Sequence, residues 1–160
     1  MKRIDNILKN KKYREHIEKI EMAEVHRDFC RHNMGHFLDV ARIAMILNLQ
    51  EDIGLPGEWI YAAALLHDIG RWVQYETGED HAKVSEKLAP EILTECDFTE
   101  EESRSITKAI GNHRNREIAG DKNLDGLLYR ADKLSRPCYA CKMEKVCDWK
   151  QDKKNLSLKI

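Results

Sequence analysis

The sequence predicts an all-α fold, and three observations carry that reading. Apolar residues recur at helical spacing along almost the whole chain. Period-two runs of β-branched residues are absent. Breakers are scarce, with eight glycines and three prolines in 160 residues. The length fits one domain able to bury a real core.

The elements follow in order. "YREHIEKIEMAEV" (13–25) sets Ile17, Ile20 and Val25 among charges, the pattern of an amphipathic first helix. "MGHFLDVARIAMILNLQED" (34–52) is longer and more apolar, and Gly54 and Pro56 stop it. "EWIYAAALLHDIGRW" (58–72) is apolar on most sides and is expected at the centre. "HAKVSEKLAPEILTE" (81–95) contains Pro90, which is expected to kink or divide the helix. "TEEESRSITKAIGNH" (99–113) opens with Thr99 and Glu102 at capping-box spacing. "LDGLLYRADKLSR" (124–136) is the last clear helix. Residues 1–136 thus read as a helical bundle and 137–160 as a cysteine-containing C-terminal tail, with a mobile Lys/Asp-rich end.

Charge narrows the partners. Twenty-seven basic residues against 28 acidic ones leave no basic footprint for nucleic acid and no polybasic patch for a membrane. No apolar stretch approaches the roughly 20 residues needed to span a bilayer. The N-terminus "MKRIDNILKNKKYREHIEKI" lacks the apolar centre of a signal peptide. The expectation is a cytoplasmic protein. Five cysteines, an odd count, fit reduced thiols or metal ligation better than a disulfide framework.

"LLHDIGRW" puts His67 and Asp68 at the end of an apolar run, where a packed helix prefers hydrophobes. Burying either group costs several kcal/mol unless something compensates. Each helix after the first offers similar chemistry. His36 stands beside Phe37, His81 closes "ETGEDH", His113 ends "AIGNH", and Asp132 sits in "LYRADKLSR". Imidazole and carboxylate together suit Zn, Fe, Mn, Ni or Co. Converging helices can assemble such a site from residues far apart in sequence. The other reading is a set of separate core or surface histidines, and His16 and His26, among charges, are read as solvated. Neighbouring helix residues point about 100° apart, so His67 and Asp68 can share an ion only near a helix end or with the ion between them.

The order His36, His67–Asp68, Asp132 resembles the HD superfamily of metal-dependent phosphohydrolases. "HNMGHFLDVARIA", "ALLHDIGRW" and "RADKLSR" resemble its three motifs in order, over residues 32 to 136. The resemblance implies an all-α HD-domain helical bundle. "DHAKVS" and "AIGNHR" resemble the two further histidine motifs of the di-metal subset, including bacterial diadenosine tetraphosphate hydrolases. That implies His36, His67, Asp68, His81, His113 and Asp132 as ligands for one or two divalent transition metal ions, iron foremost, with Mn, Co, Ni or Zn as alternatives. Asp39 and Arg71 stand where that group often has Arg and Lys.

The chemistry implied is hydrolysis of a nucleotide or dinucleoside polyphosphate by metal-activated water. Asp68 would bridge the ions and is the catalytic candidate. His36, His67 and Asp132 would complete one ion, and His81 and His113 the other. Arg71, Lys133 and Arg136 flank the motifs and are candidates for binding substrate phosphate. The expected partner is a small phosphorylated molecule. Two alternatives stand beside this: a di-iron HD oxygenase, and a non-catalytic regulatory metal-binding protein.

The tail raises a separate expectation. Cys138, Cys141 and Cys147 form a Cys-x2-Cys pair with a third thiol, a partial set for structural zinc. Bound to one zinc, their sulfurs would lie within roughly 4 Å of one another. Cys30 or His32 could supply a fourth ligand if the tail folds back. Otherwise the three are reduced thiols closing the last helix. His32, four residues before His36, shares its helical face and could support the site or contact phosphate.

Overall fold

A computed structural model describes residues 1–160, which form eight α-helices and no strand. In chain order they are α1 (Lys2–Lys9), α2 (Lys11–Ala23), α3 (Met34–Gln50), α4 (Gly57–Leu66), α5 (Arg71–Thr77), α6 (His81–Glu95), α7 (Glu100–Asn112) and α8 (Leu124–Leu134). The fold is an all-α helical bundle. None of the helices is long and apolar enough to cross a membrane.

The centre is α4. Ile60 and every residue from Ala62 to Leu66 are buried, because α1, α3, α6, α7 and α8 all pack on it. The run of alanines 62–64 lets those neighbours approach closely. Phe37, Val40, Ala41 and Ala44 of α3, Ile106, Ala109 and Ile110 of α7, and Leu127, Leu128 and Ala131 of α8 complete the core.

The N-terminal boundaries differ from expectation. The charged start holds two helices, split at Asn10, whose side chain caps α2 by accepting from Tyr13 N–H. Only Ile4 and Ile7 of α1 are buried, while Arg3 reaches Glu58 at 2.8 Å and Glu102 at 2.7 Å. Pro90 does not divide α6, which runs unbroken from His81 to Glu95. His16 is half-buried rather than solvated, stacking on Trp72 and accepting its indole N–H at 3.2 Å. The capping box at Thr99 and Glu102 is present.

The expected helix over 58–72 is broken, and the break matters most for the site. It ends at Leu66, turns through residues 67–70 and restarts as α5. Gly70 N–H leaves the helical ladder and donates to the buried Ser85 Oγ at 2.9 Å. A Cβ on Gly70 would sit 2.7 Å from Val84 Cβ and 2.8 Å from the Ser85 nitrogen. The glycine is therefore required by close approach of this turn to α6.

The tail turns back on the bundle. Asn155 is buried and its amide donates to the carbonyls of Lys133, Leu134 and Arg136, closing the end of α8. Lys154, also buried, donates to Glu144.

Candidate metal centre

Five helix ends meet at one end of the bundle. His36 lies in the first turn of α3, His67 directly follows α4, His81 opens α6, His113 directly follows α7, and Asp132 lies in the last turn of α8. Asp68 follows His67 in the α4–α5 turn. At this helix end His67 Nε2 and Asp68 Oδ2 come within 3.2 Å of each other, so both can face one ion.

The histidines are oriented by their outer nitrogens. His67 Nδ1–H donates to Ala64 O at 2.7 Å, and His113 Nδ1–H donates to Ile110 O at 2.6 Å. Both acceptors are carbonyls in the last turn of their helices, and Ile110 O also accepts the His113 backbone N–H at 3.4 Å. His81 Nδ1 lies 2.5 Å from Gln74 Oε1, which also accepts from Arg71 at 3.0 Å. In His67 and His113 a proton held at Nδ1 leaves Nε2 facing inward, which is how ligand imidazoles are commonly fixed. His81 Nδ1 also lies 2.8 Å from Arg71 Nη1, which can only donate to it.

The inward atoms cluster around Asp68. Its Oδ1 is 3.0 Å from His81 Nε2 and 3.6 Å from His113 Nε2, and those two nitrogens are 3.2 Å apart. Its Oδ2 is 3.2 Å from His67 Nε2 and 3.7 Å from His36 Nε2. Asp132 Oδ1 is 3.7 Å from His36 Nε2 and 4.0 Å from His67 Nε2. His36, His67 and Asp132 form one group whose ligand atoms lie within 4.8 Å of one another, and His67, Asp68 and His113 form a second. All six residues singled out in the sequence meet here.

Three of the five buried side-chain atoms without a hydrogen-bond partner belong to this cluster: His36 Nε2, His67 Nε2 and Asp68 Oδ1. Asp68 Oδ1 is near two imidazoles, but neither is aligned to donate. Each orphaned polar atom costs about 1–3 kcal/mol. Three of them on six convergent nitrogen and oxygen ligands fit a divalent cation, which would satisfy all three at once.

The electrostatics agree. Burial alone would raise the Asp68 carboxyl, but the charges of His67 and His32 hold it well below its usual value. Asp132 is likewise held down against burial by Lys133 and His67. Burial, with repulsion from His67, pushes His113 down to about 3, so it remains a neutral imidazole at pH 7. Burial lowers His81 as well. The site thus presents ionised carboxylates beside His81 and His113 as neutral imidazoles, the forms that bind metal. His67, though burial lowers it, is raised by Asp68 and Asp132 and would give up that proton to an ion.

A cavity of about 600 Å³ opens above this cluster. Arg71, Lys133 and Arg136 line it, as do Arg27, Arg114 and Lys153. Arg71 is braced by Gln74 and by Tyr75 OH at 3.2 Å. Lys133 contacts Asp132, and Arg136 lies 3.9 Å over the Trp149 ring.

Glu24 was missed in the sequence, where it looks like one more charge on an amphipathic helix. It is buried, and its carboxylate accepts from Tyr75 OH at 2.5 Å and His32 N–H at 2.7 Å. It also holds His32 Nδ1 at 2.5 Å, so that His32 Nε2 comes within 3.7 Å of Asp68 Oδ2. The available signal is its register: Tyr13, Ile17, Ile20 and Glu24 are spaced by four, three and four, so Glu24 falls on the buried face of α2.

Cys138, Cys141 and Cys147 line the same cavity, as does Cys30. No three cysteine sulfurs lie within 4.8 Å of one another, so the tail sulfurs are not gathered to the roughly 4 Å spacing of a closed zinc cage.

Comparison with known proteins places these observations. The family model described as the HD domain matches residues 33–136. An uncharacterized protein of Clostridium beijerinckii is 42% identical over 158 residues, covering 99% of both chains. Ribonuclease Y 1 of Pediococcus pentosaceus is 30% identical over 99 residues, which are 61% of this chain and 17% of that protein. Among solved structures, a predicted HD superfamily hydrolase from an uncultured Thermotogales bacterium is similar at a TM-score of 0.59 and 28% identity. That similarity covers 76% of this chain and 66% of the other.

Proposed function

The chain belongs to the HD domain family, and from that premise we propose that it is a metal-dependent phosphohydrolase that cuts a nucleotide or dinucleoside polyphosphate. The observation that carries this is the set of three orphaned buried atoms, His36 Nε2, His67 Nε2 and Asp68 Oδ1, at the floor of a cavity rich in arginine and lysine. A cation satisfies the floor, and an anion satisfies the walls. The similarity to a predicted HD superfamily hydrolase and to a ribonuclease supports hydrolysis of a phosphate bond.

His36, His67 and Asp132 would hold one ion and His81 and His113 a second, with Asp68 shared through its two oxygens. When bound, such ions activate water near neutral pH and offset phosphoryl charge. Arg71 would bind substrate phosphate from a side chain already fixed by Gln74 and Tyr75, so little rotamer freedom is lost on binding. Lys133 and Arg136 would add charge on the opposite wall. Glu24 fixes the His32 ring, whose Nε2 faces the cluster and can donate to a phosphoryl or leaving-group oxygen. The cavity fits a small substrate; a long polymer would need a broad basic surface, and the chain carries a net charge of −1.

The test is metal analysis of the purified protein, with turnover of diadenosine tetraphosphate, a nucleotide panel and a short oligoribonucleotide, with Mn, Fe, Co, Ni or Zn supplied. Asp68→Ala should lose both metal and turnover. Arg71→Ala should keep its metal and raise KM or lower kcat. Full metal and full turnover in Asp68→Ala would refute the site. Metal-loaded wild type that hydrolyses nothing in the panel would refute the activity, and oxygen uptake by that protein would favour the oxygenase alternative.

A further inference from the structure

The cavity has a second set of ligands that the His/Asp cluster does not use. Cys138 and Cys141 sit at the two ends of one 3-10 turn, closed by Cys141 N–H donating to Cys138 O at 3.2 Å. Cys147 ends the next 3-10 turn, whose start is tied to Cys141 O by Glu144 N–H, also at 3.2 Å. Three thiols are therefore carried on two consecutive short turns. Cys30 comes from the opposite side, in the connection between α2 and α3, with its carbonyl held by Arg27 at 2.8 Å. All four side chains line one cavity, and all four thiols are free. The fifth, Cys96, is buried in the core.

We propose that Cys30, Cys138, Cys141 and Cys147 form a second, all-thiolate metal site in the cavity wall, which fastens the C-terminal tail to the α2–α3 connection. Cys30 supplies the fourth ligand that the tail lacks. The Cys30 thiol is held above its ordinary value first by partial burial and then by the nearby Cys138 and Cys141, with Arg136 pulling the other way. A soft cation binds cysteines as thiolates and releases their protons, so four thiols lining one cavity suit it better than a hard one.

Two groups share this four-thiolate chemistry: a single Zn²⁺ and an iron–sulfur cluster. The present spacing is wider than a closed zinc cage. The ligands on the tail stand on short turns, which can draw in on binding with little disturbance of the helices. The site would tie together two segments that serve the first centre. The α2–α3 connection carries His32, and Arg136 directly precedes the tail. Metal at the cysteines would thus fix one donor and one cation on facing walls of the cavity.

The experiment uses the full chain, purified under nitrogen, with zinc, iron and acid-labile sulfide measured per chain. Asp68→Ala should retain about one zinc, or several irons with matching sulfide, when the His/Asp centre is stripped. Cys30→Ser and Cys138→Ser should each lose that same fraction and keep the His/Asp metal. Sulfide separates the cluster from zinc. If the serine variants fold poorly, alkylation of wild type mapped by mass spectrometry decides. Cys30, Cys138, Cys141 and Cys147 should be protected together and released together by a chelator. Independent alkylation of Cys30, a Cys138–Cys141 disulfide in place of metal, or unchanged metal content in Cys30→Ser would overturn the proposal.

Discussion

Gly70→Ala tests whether the break in the central helix builds the site. The backbone there is ordinary, with φ −86° and ψ 3°, so alanine is not strained by conformation. Considered alone, the lost chain entropy of glycine would make the substitution stabilising by about 0.4–1 kcal/mol. Space decides otherwise. The new methyl would lie 2.7 Å from Val84 Cβ and 2.8 Å from the Ser85 nitrogen, and neither atom is a flexible side-chain end. Relieving such overpacking costs about 1–3 kcal/mol. Movement would also stretch the Gly70 N–H to Ser85 Oγ bond, and a buried donor left unpaired costs about 1–3 kcal/mol more. The net expectation is a loss of about 1–5 kcal/mol. At about 2–4 °C per kcal/mol for a domain this size, the melting temperature should fall by several degrees or more. Urea titration gives the free energy, and metal analysis of the folded fraction shows whether Asp68 has moved. Gly70→Ala with stability within about 0.5 kcal/mol of wild type and full metal content would refute the reasoning.

Two further outcomes follow from side-chain contacts. Glu102 is drawn from 4.5 to about 2, first by its hydrogen bond to Arg3, so its contribution to stability is present above about pH 4.5 and is lost as pH falls through about 2. Glu102→Gln keeps an acceptor for the Thr99 N–H of the capping box, and should cost about 1 kcal/mol at pH 7 after solvent screening and flatten the acid limb of a urea-midpoint profile; an unchanged limb counts against the pairing. Glu24→Gln keeps the shape of the carboxylate and removes its charge behind His32. It should lower kcat by about 10–100-fold while metal content and melting temperature hold, and an unchanged kcat would show that His32 orientation is not needed.

The helices were legible because burial imposes a 3.6-residue period on the sequence, and the apolar stretch 60–66 announced a central helix. The break at residues 67–70 was not legible, because its cause lies fifteen residues away at Ser85 and in the closeness of α6. The α1 segment was passed over because only Ile4 and Ile7 mark its inner face, and its other anchor is Arg3 reaching Glu58 and Glu102. Within the site, His36, His67, His81, His113 and Asp132 stood out as polar groups at apolar positions or helix ends. Glu24 did not, because it lies one residue past the end of α2, although it continues the buried stripe of Tyr13, Ile17 and Ile20. The cysteines of the tail were visible as a spacing, but their place in one cavity with Cys30 depends on the tail turning back on the bundle, where Asn155 donates to the carbonyls at the end of α8, and no local pattern encodes that.

The placement of the ligands at helix ends has a physical reason beyond economy of sequence. A side chain within a helix must compete with its neighbours on the packed face, and a buried imidazole there faces groups already paired. At a C-terminus the last carbonyls have no partner four residues on within the helix, and His67 and His113 use the carbonyls three residues back to fix Nδ1. One hydrogen bond thus selects the tautomer and aims Nε2 inward. Alternation of chain direction between packed helices then brings the C-terminal ends of α4, α7 and α8 beside the N-terminal ends of α3 and α6. The HD pair can serve as the centre of this arrangement because both members lie at the C-terminal end of α4, in the turn over residues 67–70. His67 keeps the helical geometry that reaches Ala64 O, and Asp68 belongs to the turn that Gly70 and Ser85 hold against α6.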